Sequence, residues 1–433
     1  MTKGESSRTG AAPLVLVVAL FFLWGVANNL NDVLIPHLKK AFFLTDLQSG
    51  LVQSAFYLGY FFLALPAGLL MRRYGYKAAV IVGLILFGAG ALLFWPAAEL
   101  RRYELFLSAL FVIASGLAFL ETSANPLITV LGDPAKAEQR LNLAQAFNPL
   151  GAITAVVVGG QFILSGVEPT KAEFAAMSPA QLSAFQAAEA KSTQLPYLII
   201  AAVVLLWVVL VAITKFPPQA SRPTEHDRRQ EQVDRPILGL FQRPRFLFGV
   251  LAQFFYVGAQ VGVWSYMIRY GQDQVPGMGE KTAAAYLSWS LVGFMAGRFA
   301  GTALMGRIDP SRLMAVFAAA NVVLTLVAVV VGGHTGLLAL AATSFFMSIM
   351  FPTIFASSLK GLGPLTKTGS SFLVMAIIGG AVLTAVMGAI SDASAIRFAV
   401  LVPCFCFAVV GLFGITARKN ETTAHDAVLA GGH

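Results

Sequence analysis

The chain has 433 residues, of which 57% are hydrophobic and only 12% charged, with a mean hydropathy of +0.74. A soluble domain averages about 25% charged residues, so this composition excludes an ordinary water-soluble protein and makes hydrocarbon the main solvent. The net charge of +9 does not indicate a nucleic-acid partner, because the basic residues are scattered over many short loops, as the positive-inside rule arranges them in membrane proteins.

Apolar runs of about 20 residues recur, which calls for helices; barrel strands would alternate over about 10 residues. The first twelve residues are polar. The run that follows, 13–36, is far longer than the apolar core of a signal peptide, about 7–15 residues, and is read as the first span. Further spans are expected at 47–71, 78–96, 104–130, 141–165 and 195–215. A stretch rich in Pro, Arg, Glu and Gln, 216–245, then reads as a solvated linker. Six more spans follow at 246–270, 283–305, 313–332, 336–359, 369–391 and 394–417.

The expected architecture is therefore an all-α membrane protein of twelve transmembrane helices. Its parts are an N-terminal six-helix lobe (1–215), a linker (216–245) and a C-terminal six-helix lobe (246–433). Placing both termini in the cytoplasm puts 20 of the 30 basic residues in inner segments and nine in outer loops, the orientation the charge rule favours. The halves echo each other: the second span ends in PAGLLMRRYGYKAAV and the eighth in FAGTALMGRIDPSRLMAV, while Pro126 in the fourth span has Pro352 as its counterpart in the tenth. Related six-helix halves are a common plan of secondary transporters. Cys404 and Cys406, one residue apart in an apolar run, point to different helix faces and are read as free, packed thiols.

Polar groups inside the spans carry the functional signal, since a carboxylate at a helix centre costs about 2.5–3.5 kcal/mol on insertion scales and by default faces the bundle interior. Asp32 closes the NNLND stretch of the first span. It reads either as an interfacial acid that caps the helix or pairs with Lys39 or Lys40, or as a proton carrier. Glu121 lies well inside the fourth span with no basic residue near it in sequence. It reads either as a buried acid tied to Arg298 or Asn125, or as a carboxyl that desolvation lets gain and lose a proton near neutral pH. No histidine lies well inside a span, so proton transport would fall to carboxylates.

Amides form the second pattern. Asn142, Gln145 and Asn148 recur every three residues of the fifth span; Asn28 and Asn29 precede Asn31 and Asp32 in the first; Gln253 and Gln260 lie seven apart in the seventh, with Trp264 one turn further. Amides donate and accept, which matches sugar hydroxyls, and an indole face suits the apolar side of a pyranose. The alternative is interhelical hydrogen bonding, worth under about 1 kcal/mol per bond. Arg298, among Gly293, Gly297 and Gly301, is expected to serve structure or gating, by pairing with a buried acid or by lining the cavity. H-E-x-x-H, G-x-S-x-G and a paired Cys/His cluster are all absent from the sequence, so no enzyme, metal site or cofactor is expected.

Together, FFLWGVANNLNDVLIPHLKKAF, LVQSAFYLGYFFLALPAGLLM, FLETSANPLITVLG, RLNLAQAFNPLGA, AQFFYVGAQVGVWSYMIRY and FPTIFASSLKGLG resemble the L-fucose–proton symporters of the major facilitator superfamily. The resemblance spans nearly the whole chain. It implies a two-lobed fold around a central sugar site open alternately to each side, in the bacterial cytoplasmic membrane. It implies a monomer in lipid, with a small sugar and the proton as partners, L-fucose leading and glucose or galactose the alternative. An uncoupled sugar facilitator is the nearest rival mechanism. By position, Asp32 and Glu121 match the family's proton-coupling acids, and Gln145 and Asn148 its sugar-cavity residues. Three positions depart from the family pattern: Arg72 stands at an acidic slot of the loop motif, Phe351 at a tyrosine, and Pro149, which could kink the fifth span, at a small polar residue.

Overall fold

The computed structural model describes residues 11–42, 46–131, 133–162, 176–217 and 236–430, and no β-strand occurs among them. Nine helical stretches of the described residues are long and apolar enough to cross a membrane, and Ala12–Ala27 adds a shorter apolar one. Helices that satisfy every backbone group internally are what a chain of this hydropathy must form.

The described residues gather into two compact units, drawn from Met1–Leu127 with Phe147–Thr224 and from Ile128–Ala146 with Glu225–His433. The first unit contains α1 (Ala11–Phe42), α2 (Asp46–Tyr74), α3 (Tyr76–Leu100), and α4 (Tyr103–Val130) as far as Leu127. Its remaining helices are α6 (Phe147–Phe162), α7 (Pro179–Ser192) and α8 (Gln194–Ile213). The second unit takes α5 (Ala137–Gln145) from early in the sequence. It then holds α9 (Pro236–Phe241), α10 (Pro244–Gln274), α11 (Glu280–Leu304), α12 (Pro310–Val330), α13 (Gly333–Met347) and α14 (Met350–Leu359). It ends with α15 (Thr366–Met375), α16 (Gly379–Ala393), α17 (Ile396–Ala399) and α18 (Leu401–Ala430). The loop expected before the sixth span carries α7, started by a capping box in which Ser178 and Gln181 serve each other's backbone N–H groups.

Glycine sets the closest helix approaches. In the first unit a Cβ at Gly25 would strike the carbonyl of Asn148, joining α1 to α6, and one at Gly59 would lie 2.8 Å from Ala114 Cβ, joining α2 to α4. In the second unit a Cβ at Gly379 would strike the carbonyl of Phe254, joining α16 to α10, and one at Gly297 that of Phe345, joining α11 to α13. Lipid offers no hydrophobic drive between helices, so this packing contact holds the bundle together.

Of the expected continuous spans, the eleventh is interrupted by a 3-10 turn at Ala376–Ile378 and the twelfth at Val400, and two more are broken beside a proline. The fifth divides at Ala146 into α5 and α6, and the tenth divides after Met347 into α13 and α14. Each break precedes a proline, Pro149 or Pro352, by three or four residues. Proline cannot donate to the carbonyl four residues earlier, and its ring crowds that turn.

Candidate functional site

Glu121 is 3% exposed on α4, and Thr122, Ser123 and Asn125 beside it are fully buried. Ser123 donates its hydroxyl to Phe119 O at 2.7 Å. The phenol of Tyr60, from α2 of the same unit, is the polar neighbour of the Glu121 carboxyl. Reading the sequence span by span missed Tyr60; its signal was a pair of tyrosines, Tyr57 and Tyr60, three residues apart in an apolar helix. A carboxylate buried this deeply carries a desolvation penalty of several kcal/mol per charge.

The side chains of Asn28, Asn29 and Asp32 lie outside the described residues. Asn148, on α6, donates to Phe21 O of α1 at a long 3.4 Å. The asparagine and glutamine stripe of the fifth span is thereby divided. Asn148 belongs to the first unit, while Asn142 and Gln145 stand on α5 in the second.

In the second unit those two amides are engaged. Asn142 Nδ2 donates to Glu138 O at 2.9 Å and to Thr353 Oγ1 of α14 at 3.2 Å. Gln139 Nε2 donates to Thr302 O of α11 at 3.1 Å, and Lys360 Nζ lies 4.0 Å from Glu138 Oε1. Arg140 closes the C-terminal end of α4, donating to the carbonyls of Ile128, Thr129 and Asp133 at 2.8–3.0 Å. Burial lowers this guanidinium from its ordinary value, with Asp133 and Glu138 acting in the opposite direction.

Arg298 is 4% exposed. Its Nε donates to Ser348 O at 2.9 Å, and its Nη1 donates to Gln145 O at 2.8 Å and to Gln145 Oε1 at 3.2 Å. The guanidinium also lies 4.8 Å from the ring centre of Phe294. An acid was one expected partner for it; among the described residues its partners are carbonyl and amide oxygens. Around it, Tyr256 donates to Met347 O at 3.0 Å, and Phe351 packs edge-on to Tyr256. Trp264 Nε1 donates to Ser344 Oγ at 3.0 Å, its ring set edge-on to Phe294 at 5.1 Å. Gln253 is fully buried on α10 with neither amide atom hydrogen-bonded, and Gln260 is half-buried on the same helix.

The arrangement thus offers one buried acid beside a phenol in the first unit and a fixed cation among amides, hydroxyls and aromatic rings in the second. A surface of the second kind can hydrogen-bond a hydroxyl-rich ligand, and a buried acid of the first kind can carry a proton.

A model of the Major Facilitator Superfamily matches residues 16–364. The chain is 50% identical over 420 residues to the L-fucose-proton symporter of Escherichia coli (strain K12), covering 96% of this chain and 95% of that protein. It is 39% identical over 421 residues to the glucose/galactose transporter of Brucella abortus (strain 2308), covering 97% of each. The crystal structure of the major facilitator transporter FucP in the outward conformation has a TM-score of 0.87 at 49% identity, covering 94% of this chain and 98% of that one. This chain belongs to the major facilitator superfamily, in the group of sugar transporters that includes the L-fucose–proton symporter of E. coli.

Proposed function

We propose that this protein is a proton-coupled sugar symporter with L-fucose as its substrate. It would span the bacterial cytoplasmic membrane twelve times as two six-helix lobes with both termini in the cytoplasm, and act as a monomer. The 50% identity to the E. coli symporter along nearly the whole chain supports the substrate. The observation that carries the coupling is the burial of Glu121 beside Tyr60, which a facilitator without protons would not need.

In this reading Asp32 takes up protons from the outer side and Glu121 couples them to the sugar. A negative charge left on Glu121 opposes the motion that closes the site, because desolvating an unpaired carboxylate costs several kcal/mol. Protonation removes that cost, and the loaded carrier reorients. A membrane potential of 100 mV supplies about 2.3 kcal/mol per charge, enough for about a 50-fold sugar gradient. Gln145, Asn148, Asn28, Asn29, Gln253 and Gln260 supply hydrogen bonds to the sugar hydroxyls, and Trp264 an apolar face.

The test is uptake of labelled L-fucose into proteoliposomes with and without an imposed inward proton gradient. Accumulation only with the gradient, and alkalinisation of the medium on adding L-fucose, are expected. Equal uptake in both conditions overturns the coupling. The Brucella match keeps hexoses as a second substrate class; competition by D-glucose or D-galactose much stronger than by L-fucose would move the assignment there.

A further inference from the structure

Pro149 and Pro352 lack a backbone N–H, so the helices they enter leave the carbonyls four residues earlier, those of Gln145 and Ser348, without their usual donor. An unpaired buried carbonyl costs about 1–3 kcal/mol, which makes each a strong demand for a partner. One side chain answers both: Arg298 donates from Nε to Ser348 O at 2.9 Å and from Nη1 to Gln145 O at 2.8 Å. The same Nη1 reaches Gln145 Oε1 at 3.2 Å. A guanidinium donates and never accepts, so it selects the oxygen end of the Gln145 amide and leaves the nitrogen end facing away from it.

We infer that Arg298 is a positioning residue for substrate: bridging the two carbonyls that the prolines vacate, it fixes α5 against α11 and α14 and turns Gln145 so that it offers only N–H donors, to an oxygen of the sugar. The inference rests on the proposed reading that Gln145 touches the sugar. Lysine cannot replace it, because an ammonium is a point donor and lacks the rigid fork that spans two acceptors. Pro149 is a working part of the device, since any other residue there would return an N–H to the carbonyl that Arg298 uses.

The experiment measures the half-saturation concentration and maximal rate of L-fucose counterflow in proteoliposomes for Gln145→Ala, Gln145→Glu, Arg298→Lys, the double variant Gln145→Ala with Arg298→Lys, and Pro149→Ala. Gln145→Ala and Arg298→Lys should each raise half-saturation roughly five- to tenfold, about the worth of one hydrogen bond, with little change in maximal rate. The double variant should be no worse than either single one. Gln145→Glu should be as poor as Gln145→Ala, since a carboxylate held by Arg298 has no donor to give. Pro149→Ala, a mild change that tests the device even if the arginine variant fails to fold, should raise half-saturation by a smaller factor.

Wild-type half-saturation in Arg298→Lys, or single effects that multiply in the double variant, would overturn the positioning role while leaving Gln145 as a sugar contact. Wild-type half-saturation in Gln145→Glu would overturn the donor assignment. Wild-type half-saturation in Gln145→Ala would instead remove Gln145 from the sugar site, a failure of the proposed function at that residue and of the inference with it.

Discussion

In the first unit α1 meets α6 at Gly25 and Gly151, and α3 meets α8 at Gly88; in the second, α10 meets α16 at Gly258 and Gly379, and α12 meets α18 at Gly411 and Gly414. With Gly59 between α2 and α4 and Gly297 between α11 and α13, these three helix pairings of the first unit recur in the second. The charged groups do not recur. Glu121 lies five residues before Pro126, and five before Pro352 is Met347, fully buried. Arg298 lies seven before Met305, and seven before Met71 is Ala64, also fully buried. At these two positions the repeated scaffold is filled differently in its two copies: Glu121 answers to an apolar Met347, and Arg298 to an apolar Ala64. Packing glycines answer to helix geometry, which both halves share, whereas a charge inside a span is costly and need not be repeated with the scaffold.

The largest expected effect tests the acid's side of that contrast. Glu121→Gln copies the protonated carboxyl, so the variant should bind L-fucose and exchange it across the membrane yet fail to accumulate it. Counterflow and active uptake measured in the same vesicles separate these, and undiminished accumulation would mean that the first unit's charge is not the coupling group. Next come Gly25→Val and Gly379→Val, where the new side chain would strike a backbone carbonyl. Each should cost about 1–3 kcal/mol or more, read as a fall in melting temperature in detergent, with both halves suffering alike. Damage confined to one would show that the shared pairing is tight in only one unit.

A smaller effect belongs to Thr353→Val, which deletes the acceptor of Asn142 Nδ2 while keeping the side chain's shape. Asn142 still bonds Glu138 O, so the expected loss is about 1 kcal/mol of thermal stability, with proton coupling intact. The smallest is Trp264→Phe, which gives up the bond to Ser344 but keeps the ring against Phe294. A two- to threefold rise in half-saturation is expected, within the lower range for one hydrogen bond.

Much of the fold was legible because hydrocarbon leaves few options: apolar runs of the right length must become helices, and α3, α4, α8, α10 and α12 lie close to their expected limits, while α1 runs on past Pro36 to Phe42. Glu121 was legible for the same reason, as a charge where lipid penalises it. The amide stripe was harder. A period of three in sequence suggested one helix face, but Pro149 breaks the span at Ala146, so Asn148 parts from Asn142 and Gln145. Proline announces such a break without saying which turn yields. The partners of Arg298 were beyond reach of hydropathy, because two of its three acceptors are backbone carbonyls, which no residue letter displays. They could have been found by counting four residues back from each intramembrane proline and asking what donor fills the vacancy.

The division of the fifth span also bears on how the chain is made. Residues 128–146 are synthesised with the first half, yet their compact surroundings and their bonds to Thr302, Arg298 and Thr353 come from residues more than 150 positions later. A ribosome that has just completed the first half has released amides and carbonyls whose final partners do not yet exist. During that interval water, lipid headgroups or the insertion machinery must satisfy them. Maturation of α5 is therefore the step at which biogenesis of the two halves becomes a single event, and a first half expressed alone would keep this segment permanently unfinished.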